Sequence, residues 1–234
     1  MKPEEKGHLH PITQVIRAIY PVFQELGFEI ADGPELEDEF HNFDALNVPK
    51  DHPARDMQDT FWIKSKSENE RKVLRTHTSS VQIRFMENNK PPIRIVVPGK
   101  VYRNEATDAT HEAQFYQLEA LYVDKNVTLA HLKGVLETMF KRIFSDDVVI
   151  RFRPSFFPFT EPSVEVDMQW RGKWLEMGGA GLVHPNVFKS VGIDPNVYQG
   201  FAFGFGLDRV AMLKFGIDDV RHNYTGDLRL INQF

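Results

Sequence analysis

The sequence contains no cysteine, and this absence excludes two kinds of site. Without cysteine the chain can form neither a disulfide framework nor a thiolate zinc centre. No stretch approaches the roughly 18 consecutive apolar residues that cross a bilayer, and the opening residues, MKPEEKGHLH, form no apolar signal segment. These absences predict a cytoplasmic protein with no membrane partner.

Basic charge is also scarce relative to acidic charge. The 28 lysines and arginines are outnumbered by 33 aspartates and glutamates, which gives a net charge of −5. No long basic run occurs, so overall charge does not predict a nucleic-acid partner, although a local basic patch is compatible with it. The 234 residues suffice for one large domain or two small ones, and because no repeat, low-complexity segment or boundary interrupts them, we predict a single domain over residues 1–234.

Both common phosphate-binding glycine motifs are absent. The pattern G-x-x-x-x-G-K-S/T does not occur, and the segment GFGLDR at residues 204–209 has Arg209 where a Rossmann loop has its third glycine. A bound nucleotide would therefore depend on arginine side chains presented by a sheet. Arg209 lies in the first turn of a predicted helix, and a helix N-terminus beside an arginine favours anion binding.

A predicted hairpin at residues 99–122 is the most informative stretch that the sequence does contain. Successive side chains of a strand point to opposite faces. One face carries polar and charged residues with a single aromatic: Arg103, Glu105, Phe115, Gln117 and Glu119. The other face carries residues suited to a core: Tyr116, Leu118, Ala120 and Tyr122. The polar face indicates a binding surface, and the alternative is a solvent-exposed face of an antiparallel sheet.

A second pattern lies at residues 200–206, GFAFGFG, where small residues alternate with phenylalanine. On a strand the phenylalanines would face a core, and the small residues would leave a flat floor for a ligand. Glycine weakens a strand, so a row of small residues indicates a functional reason. Close packing of a helix over a glycine strand is the alternative.

The remaining patterns predict the fold class. Helical apolar spacing predicts one helix capped by Thr13, with Pro21 kinking or shortening it, and another over residues 128–144. Residues 35–44 have helical character, and residues 178–181, GGAG, indicate a flexible or close-approach loop. Because the strands meander without regular alternation with helices, we predict an α+β fold with an antiparallel β-sheet flanked by helices.

Together these motifs resemble those of class II aminoacyl-tRNA synthetases. Residues 99–105 followed by 115–119 look like motif 2 of that family, and residues 204–209 look like motif 3. More narrowly, the chain resembles the catalytic core of the bacterial phenylalanyl-tRNA synthetase alpha-subunit family. The matching segments lie at residues 7–11, 43–47, 52–57, 75–79, 104–115, 152–162 and 200–209.

The resemblance implies an ATP site. It assigns the α-phosphate to Arg103, the adenine amino group to Glu105, and stacking on adenine to Phe115. His111 and Arg209 would contact the β- and γ-phosphates, so that Arg103, Arg209 and His111 are the expected catalytic residues. Such residues suit in-line displacement at phosphorus, which depends on positive charge and positioning rather than on a nucleophile.

The resemblance also implies a phenylalanine site. The side chains around the ammonium and carboxylate groups would be His77, Ser79, Gln117 and Glu119. Phe157 and Phe159 would line the ring pocket edge-on. Ala202 and Gly204 would form its floor, where Ala202 limits para substituents. Glu161 resembles a magnesium ligand that the family shares with its beta subunit.

Less specific interpretations of the same side chains stay open. His77 could form a hydrogen bond at the start of a helix, and His111 could be a solvated loop residue. Phe157 and Phe159 could be ordinary core residues. Two positions depart from the family pattern: Ser80 stands where proline is usual, and Gln58 where tryptophan is often found.

The implied substrates and partners are L-phenylalanine, ATP with Mg²⁺, and tRNA(Phe). Motif 1, within residues 11–34, implies a homodimer or an alpha–beta assembly. The family's N-terminal coiled-coil arm, editing domain and anticodon domain have no counterpart in this sequence, so we expect full tRNA charging to need partners. Two other functions stay open: a paralogue that passes an aminoacyl-adenylate to a non-tRNA acceptor, and a non-catalytic amino-acid-binding or assembly module.

Overall fold

The computed structural model describes residues 7–55, 60–64 and 71–234. Gln58, one of the two positions that depart from the family pattern, lies outside the described residues. Among the described helices, none is both long and apolar enough to cross a membrane. The helices and strands in chain order are α1 (Pro11–Glu25), β1 (Glu29–Ile30), β2 (Leu36–Asp38), α2 (Glu39–Asn42), β3 (Trp62–Ile63), β4 (Lys72–Leu74), α3 (Ser79–Asn88), β5 (Ile93–Tyr102), β6 (Gln114–Asp124), α4 (Leu129–Ile143), β7 (Val149–Phe157), β8 (Thr160–Trp170), β9 (Lys173–Val183), α5 (Pro185–Ser190), β10 (Gln199–Gly206), α6 (Leu207–Phe215) and α7 (Leu228–Ile231).

A seven-stranded sheet forms the centre of the fold, in the order β1-β5-β6-β10-β9-β8-β7. β1 pairs parallel with β5, and the other neighbours pair antiparallel. The predicted hairpin is present: β5 and β6 pair along their length, with Val101 opposite Phe115, and residues 103–113 form its loop. The prediction of an α+β fold with an antiparallel sheet flanked by helices is confirmed.

Helices α1, α4 and α6 cover one face of this sheet. Their apolar side chains form one buried cluster with Leu118 of β6 and with Phe201, Phe203 and Phe205 of β10. The predicted core faces of both strands are therefore correct. Full burial of a phenylalanine or leucine side chain contributes about 1.5–3 kcal/mol to stability, so this layer holds the helices on the sheet. The helices cover this face only, and the other face is available for binding.

Helix α1 begins earlier than predicted. It begins at Pro11, and the capping side chain is His10 rather than Thr13. Proline suits this first position because its missing N–H would have no helical partner there. Of the two predicted effects of Pro21, shortening does not occur: the helix continues to Glu25, and the fully buried Phe23 anchors this last turn in the core.

The opposite face of the sheet is covered at one end. Helices α3 and α5 and residues 43–48 pack there against β5 and β6 in a second apolar cluster. Toward β9 and β10 this face carries small residues. The result is a concave surface bounded by α3 and by the turn that joins β7 to β8.

Residues 178–181 lie inside strand β9 and do not form a flexible loop, so that part of the prediction was wrong. The close approach was correct. A Cβ on Gly178 would lie 2.2 Å from the carbonyl oxygen of Gly204, and one on Gly179 would lie 2.7 Å from the ring of Phe157. Glycine is required here because neighbouring backbone and an aromatic ring occupy the space of a side chain.

Residues 35–44 also differ from their helical prediction. They form strand β2, which pairs with β4 in a small sheet of order β2-β4-β3, and then the single turn α2. Glu37 of β2 is fully buried, and its carboxylate accepts a hydrogen bond of 2.8 Å from Arg84 Nε. This pairing with α3 and β4 outweighs the local helical preference.

Gly99 on β5 packs against the buried guanidinium of Arg75, and this contact gives a stability prediction. A Cβ on Gly99 would lie 2.3 Å from Arg75 Nη2. Arg75 is held in place, because its Nε donates to Lys100 O at 2.7 Å and its Nη1 to Gly33 O at 3.0 Å. We expect Gly99→Ala to lower the free energy of unfolding by about 1–3 kcal/mol in a urea titration.

The control for this prediction is Gly134→Ala on the exposed side of α4, where a Cβ would meet nothing within 4 Å. Alanine should raise the free energy of unfolding there by about 0.5–1 kcal/mol, because glycine disfavours a helix interior. Equal stability of Gly99→Ala and the unsubstituted chain would contradict the packing that we describe.

Candidate active site

A cavity of about 390 Å³ opens on the concave face of the central sheet. Its walls come from β6, β9, β10, α3 and the turn between β7 and β8. A cavity of this size accommodates a small molecule. It brings together most of the residues that the sequence proposed for binding: His77, Ser79, Arg103, Phe115, Gln117, Glu119, Phe157, Phe159, Ala202 and Gly204.

A buried carboxylate, Glu119 of β6, lies in the middle of the cavity and is 4% exposed. Its Oε2 accepts hydrogen bonds from Ser79 Oγ at 2.5 Å and from Gln82 Nε2 at 2.7 Å, and its Oε1 accepts one from Thr78 N at 3.1 Å. Burial raises the pKa of this carboxyl to about 7, against the opposing effect of these donors and of Arg103. A cationic group in the cavity would restore the ionised form.

The sequence did not single out Gln82 or Thr78. A signal for Gln82 was present in the spacing, because residues three apart share a face of a helix, as Ser79 and Gln82 do on α3. The contact of Thr78 carries no such signal, since its main-chain N–H reaches Glu119 from a residue 41 positions away in the chain. Thr78 precedes α3, and its hydroxyl donates to Val97 O instead of capping the helix.

His77 lines the same cavity and is half-buried. Burial, with the charges of Arg103 and Arg75, lowers its pKa to about 3, so the imidazole is neutral at pH 7. Its buried Nδ1 has no hydrogen-bond partner among the described residues, and its ring lies 6.3 Å from that of Phe159. A neutral ring with an unused nitrogen can bind a polar group of a ligand without competing for the cationic position beside Glu119.

One end of the cavity is formed by Arg103 and Phe115, which face each other across the β5–β6 hairpin. The Cζ atom of Arg103 lies 5.1 Å from the centre of the Phe115 ring, and Arg103 Nε donates to Thr76 O at 3.2 Å. An arginine over an aromatic ring is held there by a cation–π interaction, and its guanidinium brings positive charge to this end of the cavity. This end suits a molecule that has both an anionic group and a flat ring.

The other end is apolar. The rings of Phe157 and Phe159 lie parallel, with centres 6.0 Å apart and an angle of 9° between their planes. Ala202 forms part of the floor. In the sheet Gly204 pairs with Glu119, and Ala202 pairs with the next inward residue of β6, Leu121. Two residues of a strand advance about 6.8 Å, so the floor runs from the carboxylate into the apolar end.

The remaining predicted site residues lie outside the walls of this cavity. Glu105 was predicted on the strand with Arg103, but β5 ends at Tyr102 and Glu105 is exposed in the loop. His111 is exposed in the same loop, where its Nδ1 lies 3.0 Å from Asp108 Oδ2. Arg209 is exposed in the first turn of α6.

Glu161 borders a second cavity, of about 630 Å³, on the far side of the β7–β8 turn. Its exposed carboxylate lies 3.2 Å from His184 Nε2. The described residues contain one group with three candidate metal ligands, Glu37, Asp38 and His41, and it does not include Glu161. Mg²⁺ requires six oxygen ligands. The described residues near Glu161 supply one carboxylate, so on their own they do not build a magnesium site.

The cavity as a whole therefore orders three environments along one line. An apolar aromatic end is followed by a buried carboxylate with several hydrogen-bond donors, and then by an arginine over an aromatic ring. The hydroxyl of Ser79 among these groups is engaged as a donor to Glu119. The arrangement offers one end to an aromatic side chain with an ammonium group and the other end to an anionic group with a flat ring.

Comparison with known proteins agrees with this geometry. The family model described as tRNA synthetases class II core domain (F) matches residues 1–234. The chain belongs to this family. This class II core is 54% identical over 247 aligned positions to the phenylalanine–tRNA ligase alpha subunits of Bacillus cytotoxicus, Bacillus cereus (strain B4264) and Bacillus anthracis. Each alignment covers 100% of this chain and 70% of the relative.

A solved structure gives independent support for the class II fold. The crystal structure of pyrrolysyl-tRNA synthetase from Desulfitobacterium hafniense superimposes with a TM-score of 0.74 and covers 97% of this chain and 76% of the other. At 17% identity this likeness concerns the fold alone. The resemblance to class II synthetases and to the phenylalanyl-tRNA synthetase alpha subunit, predicted from the motifs, is confirmed.

Proposed function

We propose that this chain activates L-phenylalanine with ATP and transfers the phenylalanyl group to tRNA(Phe), as a phenylalanine–tRNA ligase. In the first step a carboxylate oxygen of phenylalanine attacks the α-phosphorus, and pyrophosphate leaves. In the second step a ribose hydroxyl of the tRNA attacks the carbonyl carbon of the adenylate, and AMP leaves. The observation that carries the proposal is the cavity itself, which combines a phenylalanine-lined end with a buried carboxylate in a class II core.

Phenylalanine would lie with its ring at the apolar end and its ammonium group at Glu119. Ser79, Gln117 and Glu119 would bind the ammonium group, and His77, neutral at pH 7, would contact the carboxylate side. Phe157 and Phe159 would border the ring, with Ala202 and Gly204 beneath it. The distance along the floor from Glu119 to Ala202 supports this orientation, because it is comparable with the length of a phenylalanine side chain.

ATP would occupy the end of the cavity formed by Arg103 and Phe115. Stacking of adenine on Phe115 and contact of the α-phosphate with Arg103 would place phosphorus beside the phenylalanine carboxylate. Glu105 and His111 lie in the loop above this end, and we assign them to the adenine amino group and the outer phosphates, together with Arg209. Catalysis would then come from positioning and from positive charge that stabilises the pentavalent phosphorus.

Several finer assignments belong to the same proposal. Residues 1–234 would act as one catalytic domain in the cytoplasm, with a beta subunit or a second copy as partner through α1 and the residues that follow it, up to Pro34. Mg²⁺ would arrive with the phosphates of ATP, since it is usually bound through substrate phosphates and few carboxylates. Glu161 would supply one oxygen ligand, and any other protein ligands would have to come from elsewhere.

Amino-acid-dependent exchange of radioactive pyrophosphate into ATP tests the proposal directly. The purified chain, with Mg²⁺, should catalyse exchange with phenylalanine and with none of the other nineteen standard amino acids at a comparable rate. Transfer to tRNA(Phe) is measured in the same preparation with and without a beta subunit. Absence of phenylalanine-dependent exchange in both preparations would refute the proposed activity, and exchange without transfer in both would favour a non-tRNA acceptor.

The pH dependence of phenylalanine binding should follow Glu119. Because burial raises the pKa of Glu119 to about 7 from its ordinary 4.5, the carboxyl is mostly neutral below pH 7 and ionised above it. An ammonium ligand needs the ionised form. The Kd for phenylalanine, measured by calorimetry, should therefore rise about tenfold from pH 8 to pH 6, as the ionised fraction falls.

The matched variant is Glu119→Gln, which cannot ionise. It should bind phenylalanine weakly, with a Kd that stays constant between pH 8 and pH 6. A flat profile in the unsubstituted chain would show that Glu119 does not bind the ammonium group.

A further inference from the structure

Asp208 is buried at the start of α6 and connects three separate parts of the chain. It is 4% exposed. Its Oδ2 accepts a hydrogen bond of 2.8 Å from Tyr116 N on β6. Its Oδ1 accepts hydrogen bonds from Asn223 Nδ2 at 3.0 Å and from Tyr224 Oη at 2.8 Å. The proposed catalytic steps use none of these contacts.

The contact with β6 occurs where the ladder between β6 and β10 ends. The last pair of that ladder is Gly206 with Gln117. After Gly206 the chain turns into α6, so on this side of β6 no strand is present to pair with Tyr116 N. The carboxylate of Asp208 takes the place of the missing strand, and an acidic group in the first turn of a helix is further favoured by the helix dipole.

The far side of the carboxylate is held by a second set of contacts. Burial, and after it the charge of Asp208, raises the pKa of Tyr224 above its usual range, so its hydroxyl remains a donor. Asn223 O in turn lies 2.9 Å from Nε2 of His10, the residue that caps α1. The carboxylate therefore has fixed partners on both sides and cannot shift alone.

The neighbours of these contacts are the proposed ATP ligands. Phe115 precedes Tyr116 on β6, and Arg209 follows Asp208 on α6. We propose that Asp208 is a positioning residue of the ATP site, whose carboxylate fixes the first turn of α6, and with it Arg209, relative to Phe115. This inference rests on the proposed function, in which Phe115 stacks on adenine and Arg209 contacts the outer phosphates.

Asp208→Asn is the informative variant, because it keeps the size of the side chain. It replaces one of the two carboxylate oxygens, which accept from Tyr116 N and Tyr224 Oη, with an amide nitrogen that cannot accept a hydrogen bond. In pyrophosphate exchange we expect the KM for ATP to rise about fivefold, while the KM for phenylalanine changes less than about twofold. A general loss of folded protein would not raise the KM for ATP while leaving the KM for phenylalanine nearly unchanged. Equal changes in both KM values would overturn the inference.

A double-mutant cycle tests whether Asp208 acts through Arg209. In the Arg209→Ala background, Asp208→Asn should change the KM for ATP by less than about twofold, because the group that it positions is already gone. If the effects of Asp208→Asn and Arg209→Ala on the KM for ATP multiply in the double variant, the inference is overturned and the proposed function stays intact. Absence of phenylalanine-dependent exchange in the unsubstituted chain would instead remove the proposed function on which the inference rests.

Tyr224→Phe keeps the test valid if Asp208→Asn does not fold. It removes one hydroxyl donor to Asp208 and retains the ring, and it should raise the KM for ATP about twofold to threefold. Its control is Tyr122→Phe, whose hydroxyl on β6 contacts Arg94 and Asp124 instead. Tyr122→Phe should leave both KM values unchanged. Identical KM values for ATP in Tyr224→Phe and Tyr122→Phe would count against the positioning role.

Discussion

Replacement of Arg103 by alanine should lower phenylalanine-dependent pyrophosphate exchange by about a hundredfold or more, because charge develops at phosphorus where Arg103 would bind. The guanidinium is held for this task by the Phe115 ring, 5.1 Å from its Cζ, and by the bond from its Nε to Thr76 O. Its contribution should appear mainly in kcat, since the interaction strengthens as the pentavalent phosphorus forms.

Arg94→Ala is a matched control, because Arg94 of β5, like Arg103 just after β5, stacks on an aromatic residue of β6. Its Cζ lies 4.5 Å from the Tyr122 ring, outside the cavity. Removing this arginine deletes a comparable cation–π contact and should leave exchange unchanged. If Arg103→Ala and Arg94→Ala exchange pyrophosphate equally well, Arg103 does not bind the reacting phosphate.

Patterns with a period of two residues made the centre of the site predictable from the sequence. The alternation in β6 and β10 assigned each side chain to a face before any pairing was known, because a strand has two faces only. For this reason Gln117 and Glu119 were assigned to the binding face of the hairpin and Ala202 to the small-residue face of residues 200–206, while the phenylalanines of that strand were correctly expected in the core.

The order of the strands could not be predicted in the same way. The alternation of side chains along a strand does not show which strand lies beside β10. A glycine-rich strand and a flexible loop therefore look alike in the sequence, and residues 178–181 were predicted as a loop although they belong to β9. Only the pairing of β9 with β10 shows that Gly178 is small because the carbonyl oxygen of Gly204 occupies the space of a side chain. Long-range packing determined this segment, and local sequence did not.

The surroundings of Glu119 had the same limitation. That a glutamate on the polar face would be important followed from the hairpin, but its partners come from another element. Thr78, the residue before α3, donates to it through its main-chain N–H, and Gln82 of α3 donates through its side-chain amide. A main-chain donor leaves no signature in the sequence. Asp208 was overlooked for a related reason, since its partner on β6 is also a main-chain N–H.

The second large effect concerns the apolar end of the cavity, where Ala202 limits the length of the ring that fits. Its methyl group lies on the floor two residues from Gly204, against the apolar cluster of α3 and α5. Ala202→Gly should remove this limit and admit para-chlorophenylalanine. Discrimination by a methyl-sized group is about 1–3 kcal/mol, so the ratio of para-chlorophenylalanine to phenylalanine activation should rise about tenfold or more.

The ratio of the two kcat/KM values in pyrophosphate exchange isolates this effect, because a general loss of activity cancels between the substrates. Ala120→Gly supplies the control: Ala120 lies on the neighbouring strand β6, is fully buried, and faces the opposite apolar cluster. Glycine there adds the same backbone freedom and leaves the cavity floor intact, so the ratio should stay at the value of the unsubstituted chain. A ratio that rises equally in both variants would mean that strand flexibility, and not the Ala202 methyl group, sets the selectivity. An unchanged ratio in Ala202→Gly would mean that the substrate ring does not reach this part of the floor.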